Sequence, residues 1–537
     1  MDSLTLPPEA WVHVLSFVDA NSIANRVGLV SHAFHALATE PQLWRRLVLR
    51  DFPASSSSAD SARRNLYEGE PDGWRKTFYA HRWLERSKRP RFCLLGHVDC
   101  GKSTLLGRML LGLGQVTQQE VNRLRDAAFE WGKGSFMYAW CSDRTDAERQ
   151  RGITIEWHAK ECTLSSGREI EIIDVPGHRD FNKNASIGAS MADVAMLVVG
   201  AGHGEFEAGV SDHGWFLGGT NHHLLLAKSL SMSKVIVVVN KMDDRSVNYS
   251  QTRFNEIKDD VLRIAGGVGY KPEDLEVVPI SAWTGENVVT APSSMPWYNG
   301  PMLFEVMEQV ARAVTTSAPG EVVAKRPVFG PTRVSILQRV NKRCTTTGTD
   351  IAQKQEEVVK ALVQWGTPTT SVATFTVRSI QRFQTPRNSS KAIPLLRRGM
   401  VLLAAAERAG GNALTGRVES LTVRLDHSTP VSLRCGSEPY FIIHSSAAPY
   451  RVDKILRCWD KDGQEVKVDD ASDGKATVIT VKVGMSTLLL VKPLGDVCVE
   501  PFVNNAAMGT VLMFDRRRLV ASGRIETVQR LGSEVID

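Results

Sequence analysis

The stretch GHVDCGKST, residues 96–104, decides the fold of this chain. A glycine-rich loop ending in Gly101-Lys102-Ser103 turns backbone N–H groups inward around a polyphosphate. Gly96, His97, Val98, Asp99, Cys100, Gly101, Lys102, Ser103 and Thr104 are therefore candidate nucleotide-binding residues. Lys102 can reach the outer phosphates as a point charge, and the Ser103 hydroxyl is placed to ligate Mg²⁺. The apolar run RFCLL at 91–95 predicts a buried strand before the loop, and 105–113 predicts a helix after it. In that order, the helix N-terminus supplies the phosphates with free N–H donors and partial positive charge.

Four further segments follow at sensible spacing. AERQRGITIE, 147–156, reads alone as a polar loop leading into a strand. Beside a phosphate loop, Thr154 can offer oxygen to a metal and a γ-phosphate, so the segment would be ordered by a triphosphate and released on hydrolysis. EIIDVPGH, 171–178, predicts a strand ending in D-x-x-G. Asp174 then sits where a metal-bound water is held, which makes Ser103, Thr154 and Asp174 the candidate metal ligands. Gly177 lets the backbone approach the γ-phosphate closely, and His178 is the candidate for positioning the attacking water.

The apolar strand VIVVV, 235–239, leads into NKMD, 240–243. A carboxylate at Asp243 can accept from both N1–H and the 2-amino group of guanine, a pair that adenine lacks. Asn240 can brace the loop, and the Lys241 stem can lie along the base. After VVPI, 277–280, come Ser281, Ala282 and Trp283. There the Ala282 N–H suits the guanine carbonyl and the Trp283 ring can cover the base. The ordered set reads as a guanine-nucleotide site.

Composition sets outer bounds. A chain of 537 residues with a net charge of +6 suggests several domains, and permits RNA contact without arguing for it. Its 8 cysteines are scattered without a CxxC pair, which predicts reduced thiols rather than disulfides or zinc. No apolar run reaches about 18 residues and no signal peptide is evident, so a cytoplasmic protein is expected, with no membrane partner.

GHVDCGKST, GKGSFMYAW (132–140), AERQRGITIE, DVPGHRDFNKN (174–184), GEFEAGVS (204–211), NKMD and YSQTRFNEI (249–257) closely resemble eukaryotic elongation factor 1-alpha. That family is similar to bacterial elongation factor Tu; sister families include a class II release factor and a ribosome-rescue GTPase. The resemblance implies GTP/GDP and Mg²⁺ as cofactors, and the ribosome, aminoacyl-tRNA and a nucleotide exchange factor as partners. It also implies that Val98 and Ile153 fence the catalytic His178 from water until the ribosome swings it into place. Catalysis would then be positioning plus charge stabilisation by Lys102 and the metal.

The fold class implied is multidomain: a helical F-box-like N-terminus, an α/β P-loop GTPase domain, then two small β-barrel domains. The boundaries expected are 1–90, 91–315, 326–408 and 412–537. The second domain is divergent. The family's Gly-Arg-Val-Glu-Thr-Gly stretch survives only in degraded form near 363–366, and 350–363 reads equally well as an amphipathic helix. That divergence bears on tRNA delivery more than on GTP binding. Further on, 418–425, 440–443, 476–483, 487–491 and 498–502 alternate like strands, and 509–525 resembles the family's closing hairpin.

About 90 residues precede the phosphate loop. Leu6-Pro-Pro-Glu9, Val14-Leu15, Phe17-Val18, the block VSHAF at 30–34, Leu43-Trp44 and Leu47 resemble an F-box. Such a helical hook binds the small adaptor of a cullin ubiquitin ligase. The same stripe also reads as a helical extension packed on the GTPase domain. Three functions therefore stand open: an elongation-class GTPase tethered to ligase machinery, a substrate receptor whose GTPase body recruits translation-related cargo, and a scaffold that binds GTP without cycling.

Overall fold

The computed structural model describes residues 8–18, 23, 32–51, 73–75, 77–78, 89–132, 136–141, 146–211, 219–316, 333–340, 357–364, 370–377, 401–403, 418–443, 446–466, 478–495, 497, 499–503, 506–515 and 518–530. Leu6, much of the 350–363 stretch, the 409–412 break and Cys498 lie outside the described residues.

Six strands make the central sheet: β1 Arg91–Leu95, β2 His158–Thr163, β3 Glu169–Asp174, β4 Val194–Gly200, β5 Val235–Asn240 and β6 Leu275–Pro279. Their order is β2-β3-β1-β4-β5-β6, with β2 antiparallel to β3 and the others parallel. β1 shows why the inner strands β1, β4 and β5 are nearly continuously apolar. Phe92 and Leu94 enter one core, Cys93 and Leu95 the opposite one, because helices cover both faces. β1 is flanked by β3 on one side and by β4 on the other. The crevice at that switch point, outside the strands' carboxyl ends, is where ligands bind in such sheets.

Downstream, β7 Arg333–Val340, β8 Glu357–Gln364, β9 Thr370–Val377 and β10 Val401–Leu403 form an antiparallel sheet in the order β10-β7-β8-β9. The helical alternative for 350–363 is thus corrected over 357–363. Val358, Val359 and Val363 carry β-branched side chains that favour a pleated ladder, and β8 pairs on both edges.

The C-terminal body contains β11 Val418–His427, β12 Val431–Arg434, β13 Tyr440–Ile443, β14 Ser446–Trp459, β15 Glu465–Val466, β16 Val478–Val481, β17 Ser486–Pro493, β18 Thr510–Asp515 and β19 Arg518–Arg530. Seven of them run β13-β18-β19-β11-β17-β14-β15, and β12 pairs with β16. Alternate residues such as Leu421, Val423, Leu489 and Val491 fill its interior. The expected strand over 498–502 is absent from 499–502, where Pro501 has no N–H to donate to a ladder. The other face of β13, β18 and the start of β19 is also apolar: Ile442, Leu512, Phe514 and Leu519 join the GTPase core.

The N-terminal helices Pro8–Leu15, His32–Thr39 and Pro41–Asp51 enclose their own core of Val12, Leu15, Leu37, Leu43, Trp44, Leu47 and Phe78. Trp44 is fully buried and donates its indole N–H to the Ala38 carbonyl at 2.8 Å. Val14 and Phe17, from the same apolar stripe, are 45% and 74% exposed. Six cysteines among the described residues are free thiols, and no described helix is long and apolar enough to cross a membrane.

Candidate nucleotide site

The loop between β1 and the helix Lys102–Gly112 is shaped by backbone that only small residues tolerate. Gly101 has φ +89°, and a Cβ there would collide with the Asn240 amide nitrogen. Lys102 is buried and donates to the carbonyls of Gly96 (2.9 Å) and His97 (2.8 Å), folding its ammonium into the loop. A Cβ on Gly177 would strike that ammonium and the Gly96 carbonyl, so the turn after β3 lies directly on the phosphate loop.

Three oxygen-bearing side chains meet at this junction. Ser103 Oγ is 3.1 Å from Thr154 Oγ1 and 3.3 Å from Asp174 Oδ2. Asp174 is wholly buried, and its Oδ1 has no hydrogen-bond partner among the described residues. Burial pushes its carboxyl up to about 6, against the opposing pull of Lys102 and His158. An orphaned buried carboxylate oxygen beside two hydroxyls is an all-oxygen donor set of the kind a hard divalent cation takes.

A cleft of about 300 Å³ opens over the junction, lined by Val98, Asp99, Gly101, Lys102, Ser103 and Thr104, with Ile153, Thr154, Gly177, His178 and Lys241 among its other walls. His178 is half-exposed. Its Nδ1 accepts from the Asp180 N–H at 3.2 Å, capping the turn that follows. His97 is half-buried, and burial and Lys102 lower its pKa. Cys100 is buried, with its Sγ 3.8 Å from Lys102 Nζ and its thiol pKa raised by burial.

Asn240 ties two loops together: its amide donates to the Cys100 carbonyl at 2.9 Å and its Oδ1 accepts from the Ala282 N–H at 3.0 Å. The Ala282 N–H, expected to suit a guanine carbonyl, is bonded in this structure by Asn240, which reaches across from the neighbouring strand end. Asp243 keeps a buried Oδ1 without a hydrogen-bond partner among the described residues. Ser281 is buried and its hydroxyl accepts from the Thr284 N–H at 3.0 Å, fixing the turn that carries Ala282. The Trp283 ring is 44% exposed and meets Tyr138 edge-on at 5.9 Å.

Sequence reasoning gave no role to several residues that shape this site. Glu205 holds Lys241 Nζ at 2.6 Å, and Arg108 bonds the carbonyls of Ala282 and Trp283 while lying 4.1 Å over the Tyr138 ring. Glu205 sits in the quoted GEFEAGVS stretch. No spacing rule connects it to Lys241, 36 residues on.

Three family models match the chain: an elongation factor Tu GTP binding domain over 87–365, an F-box-like model over 3–50, and a GTP-eEF1A C-terminal domain-like model over 420–526. Elongation factor 1-alpha of Entamoeba histolytica is 32% identical over 447 residues, spanning 81% of this chain and 94% of that protein. The Aeropyrum pernix elongation factor 1-alpha is 32% identical over 456 residues, 81% of this chain and 96% of its own length. Among solved structures, the S. cerevisiae Ski7 GTPase-like domain bound to GTP superposes with a TM-score of 0.61 at 15% identity, covering 83% of this chain and 98% of that one. That likeness speaks for the shared fold.

Proposed function

Because this chain belongs to the elongation factor Tu GTP-binding family, as a translational GTPase of the elongation factor 1-alpha class, we propose that it binds GTP with Mg²⁺ and hydrolyses it on the ribosome, with His178 positioning the attacking water. The observation that carries this reading is the convergence of Ser103, Thr154 and Asp174 within 3.3 Å at the floor of the cleft, beside Lys102. These residues fit a magnesium ion, which when bound supplies positive charge against the β- and γ-phosphates. Lys102 adds charge, and the loop amides orient the polyphosphate.

Val98, Ile153 and His178 all line this cleft. His178 Nδ1 is held by the Asp180 N–H, which leaves Nε2 as the ring nitrogen available to a water. A positioning role of this kind depends on an external trigger, and turnover without ribosomes should be very slow. Asp243 selects guanine through its unpaired Oδ1, Asn240 and Ser281 fix the loop around the base, and Trp283 flanks it.

We assign the F-box-like helices to a cullin-ligase adaptor, with Val14 and Phe17 as the contact residues, and place the protein in the cytoplasm. Aminoacyl-tRNA and an exchange factor are the further partners of this reading. A second reading, a ligase substrate receptor carrying a GTPase body, is favoured by one feature: the N-terminal helices close a core of their own yet leave Phe17 outside it.

Single-turnover GTP hydrolysis by the full chain, with and without ribosomes, tests the main proposal. Ribosomes should accelerate the wild type and leave His178→Ala slow at unchanged nucleotide affinity. Equal ribosome-stimulated rates for the two proteins would remove the assignment.

A further inference from the structure

Thr154 lies in a segment with no regular secondary structure, between the helix Asp146–Arg151 and β2, yet it is nearly buried. Such a segment keeps a fixed course only if its backbone groups are paired. Glu148, 1% exposed, supplies much of that pairing. Its Oε1 accepts from the N–H of Ile155 at 3.1 Å and of Glu156 at 3.2 Å, the two residues directly after Thr154. The chain can return to Glu148 because Gly152 turns at φ +72°.

Two other side chains close the arrangement. His158 begins β2, is 4% exposed, and packs Nε2 3.4 Å from the same Glu148 oxygen without making a hydrogen bond to it. It stands opposite Asp174 in the β2–β3 register. From the other side, Asn184 donates its amide to the Ile155 carbonyl at 2.8 Å. Asn184 belongs to the helix Asn182–Ala189, which follows the turn carrying Gly177 and His178. Both backbone groups of Ile155 are thus held, one by each flanking element. A buried carboxylate is tolerated only when such donors surround it.

We propose that Glu148 and Asn184 form a brace, with His158 packed against the carboxylate, that sets the Thr154 hydroxyl against Ser103 and couples it to the helix after the Gly177 turn. They are positioning residues and take no part in holding nucleotide themselves. The inference rests on the reading of Thr154 as a ligand in the triphosphate state. Glu148→Ala leaves two part-buried N–H groups without their acceptor and frees Thr154. Glu148→Gln keeps an acceptor oxygen. Asn184→Ala releases the carbonyl side alone.

The test is titration of the full chain with fluorescent methylanthraniloyl-GTP and methylanthraniloyl-GDP, with Mg²⁺ and with EDTA, for these variants and Thr154→Ala. Glu148→Ala is expected to weaken Mg²⁺-dependent binding of the GTP probe about tenfold, with Glu148→Gln recovering most of the loss. The GDP probe should change by no more than about twofold. Glu148→Ala/Thr154→Ala together should bind the GTP probe no worse than Thr154→Ala alone, because both changes remove one contact. Additive losses in that pair, or a loss by Thr154→Ala with Glu148→Ala and Asn184→Ala like wild type, would overturn the brace and leave the Thr154 reading standing. No loss from Thr154→Ala would overturn both. Should Glu148→Ala unfold, Asn184→Ala decides: a GTP-selective loss of about threefold supports the brace, and equal loss for both probes sinks it.

Discussion

The ammonium of Lys183 lies 3.3 Å from the centroid of the Tyr440 ring. Lys183 is on the helix that follows the Gly177 turn, and Tyr440 opens β13 of the C-terminal body. The segment beside the phosphate site therefore rests on a different domain, next to the apolar contact made by Ile442, Leu512 and Phe514. A double-mutant cycle of Lys183→Met and Tyr440→Leu, followed by urea unfolding, should give a coupling of about 0.5–1 kcal/mol, the lower range because Lys183 is exposed. Strict additivity would remove the pair as a stabilising contact.

The proposed base preference rests on Asp243, whose buried Oδ1 has no hydrogen-bond partner among the described residues. Asp243→Asn should lower GTP affinity by roughly 10²-fold or more, since a buried polar match to guanine is replaced by a mismatch. An amide at this position can donate to the C2 carbonyl of xanthine, so xanthosine triphosphate should gain what GTP loses. Competition of the two nucleotides against a fluorescent probe checks the exchange. Equal retention of GTP would show that Asp243 does not face the base.

Burial raises the Asp174 carboxyl to about 6 in the folded, metal-free protein, above its ordinary value of 3.8. Below both values the group is protonated folded or unfolded and has no effect. Between about pH 4 and 6 the unfolded chain gives up the proton first, so this residue's contribution to stability falls as pH rises. The loss reaches about 3 kcal/mol above pH 6. In EDTA, urea unfolding of wild type minus Asp174→Asn should show that trend. A difference independent of pH would contradict it.

In the N-terminal module, two aromatic residues should behave in opposite ways. Trp44→Ala should destabilise the helices by about 3–5 kcal/mol, because the ring is buried against Phe78 at 5.4 Å. Phe17→Ala should leave thermal unfolding nearly unchanged and abolish co-purification of a ligase adaptor. Retained adaptor with Phe17→Ala and Val14→Ala together would reject the docking face.

The nucleotide site was legible because its chemistry is local. GHVDCGKST, DVPGH, NKMD and SAW each occupy a few consecutive residues at the end of an apolar strand, and a parallel sheet gathers those ends on one edge. Candidate roles toward phosphate, metal and base can therefore be read from these motifs without any long-range pairing. What escaped were partners far apart in the chain and choices between two faces. Glu205 meets Lys241 and Asn184 meets Ile155 across distances that no periodicity encodes. The stretch through 357–364 has an apolar pattern that fits helix or strand, and pairing with β7 and β9 resolved it.

The residues alone determined a candidate guanine-nucleotide site, its order of motifs and an apolar helical stripe ahead of it. Tertiary structure alone decided that Trp44 points inward while Phe17 stays outside, that the Ala282 N–H is already engaged by Asn240, and that Thr154 is held through Glu148. Short-range chemistry depends on which residue types are adjacent. Burial and long-range hydrogen bonding depend on which surfaces the folded chain brings together.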